Sequence, residues 1–392
     1  MVTLTPDNTP PRSTPPGNAQ FGLRKKLGFA MFALPTLLPV LGWWLGGLTG
    51  MYALFSFFTL FVVYGFVPVA DWLVGEDDRN PTDADVPALD GDRYYRILTA
   101  LVVPLQLFNL AFCGWLFVNG VGGPIGQLGW LLSAGTVSGA TTITTAHELI
   151  HKATKWERWT GGLLLSSVWY ATFVPEHLYG HHRHVATPED GSTAYLNEGV
   201  YHFIGRSLKN NARKGYELAA FRAKKQGHGV WSWGNEMVPL TLFSVALTAL
   251  SFVLGGWMGL LFFLGQALAA ISLLEIINYI EHYGLMREKL PNGRYERVQP
   301  RHSWNANHVF TNNLLFQLQR HSDHHANGAR RYQTLRHFEE APQLPFGYAT
   351  AVVAAMVPPL WKRIMNPRVA RAKAGGSMAP EAAAKTAAKA AA

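Results

Sequence analysis

Three long stretches without charged side chains constrain this chain more than any other feature of its sequence. They cover residues 27–70, 97–146 and 237–274. Each is roughly twice the ~20 residues that a helix needs to cross a bilayer. Each also has a glycine-rich break near its middle, at residues 46–50, 120–123 and 255–259. The pattern predicts an all-α integral membrane protein with six transmembrane helices in three hairpins. The alternative is a large buried soluble core, but uncharged runs of this length are rare in soluble chains.

The charged residues predict how the bundle is oriented. The three hairpin tips carry no charge, whereas the segments before, between and after the hairpins carry all of it, including Arg24, Lys25 and Lys26 just before the first span. The positive-inside rule places those segments and both termini in the cytoplasm. The formal net charge of +9 therefore belongs to this face and suits anionic headgroups or an acidic protein partner. No basic helix or RNA-binding motif is present, so nucleic acid is not expected as a partner.

Composition divides the chain into three parts. Residues 1–20 are polar and proline-rich and are expected to be a disordered tail. Residues 21–369 form the predicted membrane domain. Residues 370–392 are an alanine-rich segment of low complexity, expected to be a tail or linker. The single cysteine, Cys113, excludes a disulfide framework, a zinc ribbon and an iron–sulfur site within this chain.

Nine of the 15 histidines form four short clusters on the predicted cytoplasmic side. The clusters are His147-Glu-Leu-Ile-His151, His177-Leu-Tyr-Gly-His181-His182, Asn278-Tyr-Ile-Glu-His282 and His321-Ser-Asp-His324-His325. Imidazole is the commonest neutral metal ligand and suits iron, copper, zinc and nickel. A lone pair at this spacing is more often a feature of a helix surface. Nine at one face predict more than one metal ion, because structural zinc needs only four ligands, usually with cysteine among them.

Helical spacing suggests how the rings would be shared. Residues four apart lie on one face of an α-helix, so His177 and His181 are expected to bind one ion. The neighbouring His182 lies ~100° away around the helix and is expected to reach a second ion. The last cluster repeats the pattern with a three-residue step. The fourth and sixth spans both end on the cytoplasmic side, so all four clusters should lie at the same face.

Carboxylates beside the clusters are candidates for orienting the imidazole rings and offsetting the metal charge. Asp190, Glu281 and Asp323 are favoured for this role, and Glu148 is a further candidate. Each could instead be a helix cap or a surface acid. Glu275 lies about two turns deeper on the helix of His282, and an acid at that depth in a membrane is functional by default.

The four clusters resemble the motifs of bacterial membrane alkane hydroxylases. The similarity continues through Arg331-Tyr-Gln-Thr-Leu335 and Pro358-Pro-Leu-Trp361 and covers roughly residues 25–370. It implies a cytoplasmic cap holding two non-haem iron ions, with O2 as co-substrate and rubredoxin as electron donor. It also implies hydroxylation of the terminal carbon of medium- and long-chain alkanes to primary alcohols, in the cell inner membrane. The iron ligands it implies are His147, His151, His177, His181, His182, His282, His321, His324 and His325.

The resemblance has consequences for the partner. Some relatives carry a rubredoxin fused at the C-terminus, and residues 381–385 are compatible with the start of such a linker. No Cys-x-x-Cys follows them, so this chain does not contain a rubredoxin. Four arginines near the last cluster are open to two interpretations: they receive an acidic donor, or they bind headgroups and brace the cluster. They are Arg320, Arg330, Arg331 and Arg336.

Three other classes of protein are alternatives to this interpretation. Membrane fatty-acyl desaturases and hydroxylases have His-x-x-His-His in both later boxes, whereas the second box here is His-x3-His-His. Xylene-type side-chain monooxygenases share the present pattern more closely. A divalent-metal transporter would need polar ligands near the middle of the bilayer, whereas these histidines gather at one face.

Overall fold

The computed structural model describes residues 19–374, and within that range every regular element is a helix. The predicted tails lie almost wholly outside the described residues; only their innermost residues are seen, as parts of the first and last helices. In chain order the α-helices are α1 (Ala19–Gly28), α2 (Leu34–Thr49), α3 (Tyr52–Phe55), α4 (Phe58–Phe61), α5 (Val67–Val74), α6 (Val86–Gly91), α7 (Arg93–Val118), α8 (Gly123–Val137), α9 (Thr144–Ile150), α10 (Lys155–Ser166), α11 (Phe173–Glu176), α12 (His182–His184), α13 (Val200–Lys225), α14 (Met237–His282), α15 (Val309–Leu314), α16 (His321–Ala326), α17 (Tyr348–Ala355) and α18 (Pro358–Lys373).

Short π-helical and 3-10 segments join some of these helices. The π-helical turns are Val62–Phe66, Ser138–Ile143 and His177–His181. The 3-10 helices are Phe29–Ala33, Pro300–His302 and Tyr332–Thr334. Because π-turns continue the helices on either side of them, α4 runs into α5 and α8 runs into α9 without a break in the chain path.

Each uncharged stretch folds as two helical segments that meet at glycine. Between α2 and α3 the chain turns at Gly50, where φ is +73°. Between α7 and α8 it turns through Gly120, Gly122 and Gly123, all with positive φ. Helix α14 is interrupted at Gly256, where φ is +58° and ψ is −145°. Only glycine adopts such backbone angles at little cost, so the predicted breaks are confirmed at these positions.

The apolar helices identify a membrane protein. Three of them, over Gly22–Thr49, Arg93–Val118 and Met237–His282, are long and apolar enough to cross a bilayer, and Phe58–Val74 is a shorter apolar helix. Large apolar side chains project outward from them, including Trp115, Leu254 and Trp257, each more than half exposed. Such surfaces suit lipid rather than water. The count of six spans and the cytoplasmic orientation stay predictions.

The helical segment from α8 to α9 lies inside the bundle and leads to the first histidine cluster. Its small polar side chains are buried, and the hydroxyls of Ser138 and Thr142 donate to Gln106 Oε1 on α7. Gly139 lets α14 come close, because a Cβ there would lie 2.8 Å from Leu273 Cδ2. Close backbone approach and interhelical hydrogen bonds hold membrane helices together. They fix the ends of α9 and α14 beside one another.

The segments between α14 and α18 fold back over these helix ends. Trp304 and Tyr348 are buried against α14, and the Trp304 indole donates to the Tyr283 carbonyl at 2.9 Å. Asp71, at the end of the first hairpin, accepts from the Thr311 backbone N–H at 2.9 Å. These contacts place α16 over the ends of α9 and α14.

Candidate metal centre

All nine predicted histidines converge in one cluster. They come from the end of α9, the π-turn with α12, the last residue of α14, and α16. Seven of the nine rings are buried, and His151 and His182 are partly exposed. The convergence therefore joins residues from the middle and the C-terminal third of the chain at one end of the helical bundle.

The rings form two groups. His147, His151, His177 and His324 offer nitrogens that all lie within 4.8 Å of one another, and the same holds for His181, His282, His321 and His325. His182 stands beside the first group, with its Nε2 3.1 Å from Nε2 of both His177 and His324. The arrangement offers five nitrogen donors on one side and four on the other.

The nitrogen spacing fits metal coordination. Nε2 atoms of neighbouring rings are 3.0 Å apart for His151 and His177, and 2.9 Å apart for His321 and His325. The pair His282 and His321 is separated by 3.1 Å. With a metal–nitrogen distance of ~2.1 Å, adjacent ligands around one ion lie ~3.0–3.4 Å apart. Nε2 atoms facing one another at this separation cannot all be hydrogen-bonded, and a cation between them would use each lone pair.

The protonation of the rings also suits a metal. Burial and the neighbouring imidazoles hold the pKa of His177, His324 and His325 well below the usual value for histidine. These rings are neutral at physiological pH, as a metal ligand must be. His181 differs: burial lowers its pKa, but the Asp190 carboxylate more than offsets this effect and raises it.

The π-turn His177–His181 changes the sharing of rings that α-helical spacing predicts. His177 and His182, five residues apart, serve the same group, whereas His181 serves the other. In a π-turn the residues that stack are i and i+5 rather than i and i+4. The expectation that His177 and His181 would bind the same ion, with His182 reaching a second, is therefore wrong in its pairing. On α16 the expected pairing at a three-residue step is also wrong: His321 shares a group with His325, four residues away, and His324 belongs to the other group.

Two of the four candidate carboxylates contact the rings. Asp190 Oδ2 lies 3.0 Å from His181 Nδ1 and accepts from the Thr193 hydroxyl at 2.6 Å. Burial raises the pKa of Asp190, but His181 and the hydrogen bonds more than offset this and lower it to about 2. Glu281 Oε1 lies 3.3 Å from His321 Nδ1 and accepts from the Tyr348 hydroxyl at 2.8 Å. Both carboxylates are placed to fix the ring tautomer that presents Nε2 to the centre.

The other two carboxylates have different partners. Asp323 accepts from Arg330 Nη1 at 2.5 and 2.6 Å and from the Arg336 backbone N–H at 2.8 Å. Glu148 forms an ion pair with Lys152 at 2.7 Å, and Lys152 Nζ also donates to the Arg330 carbonyl at 2.8 Å. They hold the segment after α16 against α9. Lys152 and Tyr348 were not among the residues singled out from the sequence, although Lys152 directly follows the first histidine pair.

The four arginines near the last cluster brace the fold. Arg331 and Arg336 pair with the carboxylates of Glu157 and Asp83, as Arg330 does with Asp323. Arg320 is buried and donates to the backbone carbonyls of Leu335 and Asp77, both at 2.8 Å. Of the two interpretations, these contacts favour bracing.

Glu275 lies buried on α14 below the cluster. It accepts from the Tyr170 hydroxyl, and the Asn278 amide lies 3.4 Å from its second oxygen. The acid at this depth is therefore hydrogen-bonded to the segment between α10 and α11 and to its own helix, and it does not face lipid.

Comparison with known proteins identifies the family. The family model for fatty acid desaturases matches residues 123–353. Alkane 1-monooxygenase 2 of Pseudomonas aeruginosa is 46% identical over 90% of this chain and 94% of its own length. Alkane 1-monooxygenase 2 of Alcanivorax borkumensis is 45% identical over 88% of this chain and 91% of its own. The hydroxylase component of xylene/toluene monooxygenase from Pseudomonas putida is 27% identical over 61% of this chain. The chain therefore belongs to the alkane 1-monooxygenase family and is an oxidoreductase of the monooxygenase class.

Proposed function

We propose that this protein hydroxylates the terminal carbon of medium- and long-chain alkanes to primary alcohols, using O2 and electrons from rubredoxin. The relatives are alkane 1-monooxygenases, which supports alkanes as the substrate class. The observation that carries the proposal is the pair of histidine groups at the end of an apolar bundle. Family membership and the all-nitrogen donor set together support non-haem iron.

The two groups assign the ligands to two ions. His147, His151, His177, His182 and His324 would hold one iron, and His181, His282, His321 and His325 the other. Two irons at this place would supply the reduction of O2 and the attack on an unactivated C–H bond. The hydrogen bond between His181 Nδ1 and Asp190, and the proximity of Glu281 to His321 Nδ1, would keep the opposite nitrogens directed at the centre.

Two small cavities with shared lining residues lie inside the bundle next to the histidines. A cavity of about 10 Å³ touches His147 and His324 and shares Thr144, Leu315 and Leu318 with a larger cavity of about 70 Å³. The larger cavity lies between α5, α14 and α17. An alkane has no polar handle, so a narrow apolar path can position its end and exclude water at the same time.

The direct test supplies purified protein with rubredoxin, its reductase and a ladder of alkanes, and identifies the alcohols. We expect 1-alkanols, with two irons per chain in the active enzyme. Fully active enzyme with fewer than two irons would refute the di-iron centre. Oxidation of toluene in preference to octane would assign the protein to the xylene-type enzymes instead.

We propose further that six helices span the inner membrane and that both termini and the centre face the cytoplasm. The glycine-bounded tips between α2 and α3 and between α7 and α8 would then face the periplasm. Single cysteines placed at Gly50 and at Arg79, in a Cys113→Ala background, should react with an impermeant thiol reagent in intact cells only at residue 50. Labelling at residue 79 in intact cells would invert the topology.

A further inference from the structure

A basic cavity outside the metal centre has no part in the proposed reaction. It has a volume of about 610 Å³ and lies where α1 meets the chain that follows α5. Its charged lining residues are four cations and two acids: Arg24, Lys25, Arg79, Arg320, Glu76 and Asp77. The cavity therefore has an excess of positive charge.

The two acids already have partners. Asp77 accepts from Arg79 Nε at 2.7 Å and lies 3.7 Å from Lys25 Nζ. Glu76 lies 3.5 Å from His308 Nε2. They therefore offset only part of the charge of this cavity.

Two of the cations have no carboxylate within ion-pair distance among the described residues. Arg320 is 2% exposed, and its hydrogen bonds go to backbone carbonyls and to the Asn80 amide oxygen. Within the described part of the chain, neither Arg320 nor Arg24 forms an ion pair with a carboxylate. Asp77, Asp323 and Asp78 act on Arg320 from beyond ion-pair distance and offset its charge only in part. A buried charge that is only partly compensated is costly, so the cavity favours an anion.

An apolar groove adjoins the cavity. It has a volume of about 570 Å³ and runs between α2 and the helix that contains Val62 and Val67, with Trp44 on its α2 side. Helix α15 is a shared wall: Phe310 and Leu314 line the groove, whereas Asn312 and Asn313 line the cavity. A ligand that filled both would need an anionic head and a hydrocarbon tail.

We propose that the cavity and groove bind one anionic phospholipid, with the phosphate in the basic cavity and an acyl chain in the groove. The cavity lies at the membrane-proximal ends of two apolar helices, since Lys25 precedes α2 and Val74 ends α5. This is the level at which headgroups meet basic side chains. A zwitterionic headgroup would bring its own positive charge into a cavity that already has an excess of cations, and the two would repel. A single carboxylate would leave a cavity of this size mostly unfilled. The proposal does not depend on the reaction or on which leaflet faces the cytoplasm.

The test measures lipid binding by native mass spectrometry of the full-length protein in detergent. Dioleoyl phosphatidylglycerol and dioleoyl phosphatidylcholine are added separately. We expect the wild type to bind one phosphatidylglycerol at least 10-fold more tightly than phosphatidylcholine. The double variant Arg24→Gln/Lys25→Gln should lose most of this preference, and Arg24→Gln alone, at an exposed position, should lose about a third to a half of it on a logarithmic scale.

Lys26→Gln is the matched control. Lys26 is the next cation along α1, but its Nζ pairs with Asp92 at 2.5 Å and it does not line the cavity. It should keep the wild-type preference. If Lys26→Gln lost as much of the preference for phosphatidylglycerol as Arg24→Gln, the proposal would be overturned, because net charge alone would then explain binding. Equal binding of the two lipids by the wild type would overturn it as well.

Two competitors test the occupant. Water-soluble glycerophosphoglycerol should displace the lipid at least 10-fold less well than the intact lipid does. If it competes equally, the groove binds no acyl chain and that part of the proposal is wrong. Oleate that binds with the same dependence on Arg24, in preference to phosphatidylglycerol, would identify a fatty acid site and overturn the phospholipid assignment.

Discussion

Replacing Asp190 by asparagine should weaken iron binding in one of the two histidine groups. Asp190 is buried, and every contact of its carboxylate is an acceptor contact: Oδ2 faces His181 Nδ1 and Thr193, and Oδ1 accepts from the Ser192 backbone N–H at 3.0 Å. An asparagine must turn its NH2 group toward one of these donors. If it faces His181, the ring can keep its contact only by moving its proton to Nε2. That nitrogen is the one that faces His325 at 3.3 Å, and it could no longer bind a metal.

The size of the effect follows from comparable sites. Loss of a hydrogen-bonding partner behind a metal-binding histidine typically costs 10–100-fold in metal affinity, or ~1.4–2.7 kcal/mol. Asp190→Asn removes the negative charge beside His181 as well as the acceptor that fixes the tautomer of its ring. We therefore expect a loss of metal affinity in the upper half of this range. The cost should fall on the group of His181, His282, His321 and His325, because Asp190 contacts no ring of the other group.

The assay is anaerobic titration with ferrous ion, followed by an iron count and Mössbauer spectroscopy. At limiting iron the wild type should hold two ions per chain and Asp190→Asn about one. Excess iron should restore the second. Glu217→Gln is the control, because Glu217 pairs with Arg213 at 3.1 Å on an exposed face of α13. An unchanged affinity in Asp190→Asn, or loss of both ions together, would refute the reasoning.

Four further predictions concern the metals, the path, an ion pair and the π-turn. Removing iron with a chelator should abolish turnover and lower the melting temperature. A metal present at a free concentration 1,000 times its Kd adds ~4 kcal/mol to the free energy of unfolding. An unchanged melting temperature would show that the histidine-bearing segments fold without metal. Ala140→Phe, in the 70 Å³ cavity, should raise the ratio of octane to hexadecane kcat/KM at least 10-fold, and a fixed ratio would place the alkane elsewhere. Burial raises the pKa of Glu157, but Arg331 and Thr154 more than offset this and lower it. Its contribution to stability is therefore complete above the ordinary glutamate pKa of 4.5 and is lost as pH falls through the lower folded value. The melting temperatures of wild type and Glu157→Gln should accordingly converge below about pH 4, and a gap that widens there would contradict this sign. Deleting Leu178, which should convert the π-turn to an α-turn with His177 and His182 four residues apart on one face, should leave two bound ions; loss of an ion would show that the centre needs the π-turn itself.

The sequence was sufficient to predict which histidines meet. Two of the four clusters, those of His147 and His282, lie just beyond uncharged stretches whose lengths and glycine breaks determine where each helix ends. A pattern of this kind fixes the side of the bundle on which a motif lies, without any knowledge of how the helices pack. The same pattern located the turns at Gly50 and Gly256, since a reversal within an apolar run needs a backbone that only glycine adopts readily.

The division of the rings between the two groups could not be predicted from spacing alone. It depends on the π-turn at residues 177–181. The conformational preferences of the residues in His-Leu-Tyr-Gly-His do not predict such a turn. The partners of Asp323 and Glu148 could not be predicted either. Lys152 reaches the Arg330 carbonyl across 178 positions of sequence, and such contacts depend on how the segment after α16 folds back.

The two groups are coupled through shared elements. The π-turn with α12 and helix α16 each contribute rings to both groups, whereas α9 serves only the first and α14 only the second. Neither group can therefore assemble from the membrane helices alone, because each needs α16, which the Asp323–Arg330 pair and the Lys152 contacts hold in place. Metal binding to sites of this kind is linked to folding of the segments that supply the ligands. The bundle sets the depth of the centre, and the segments outside it decide whether two ions can be held side by side.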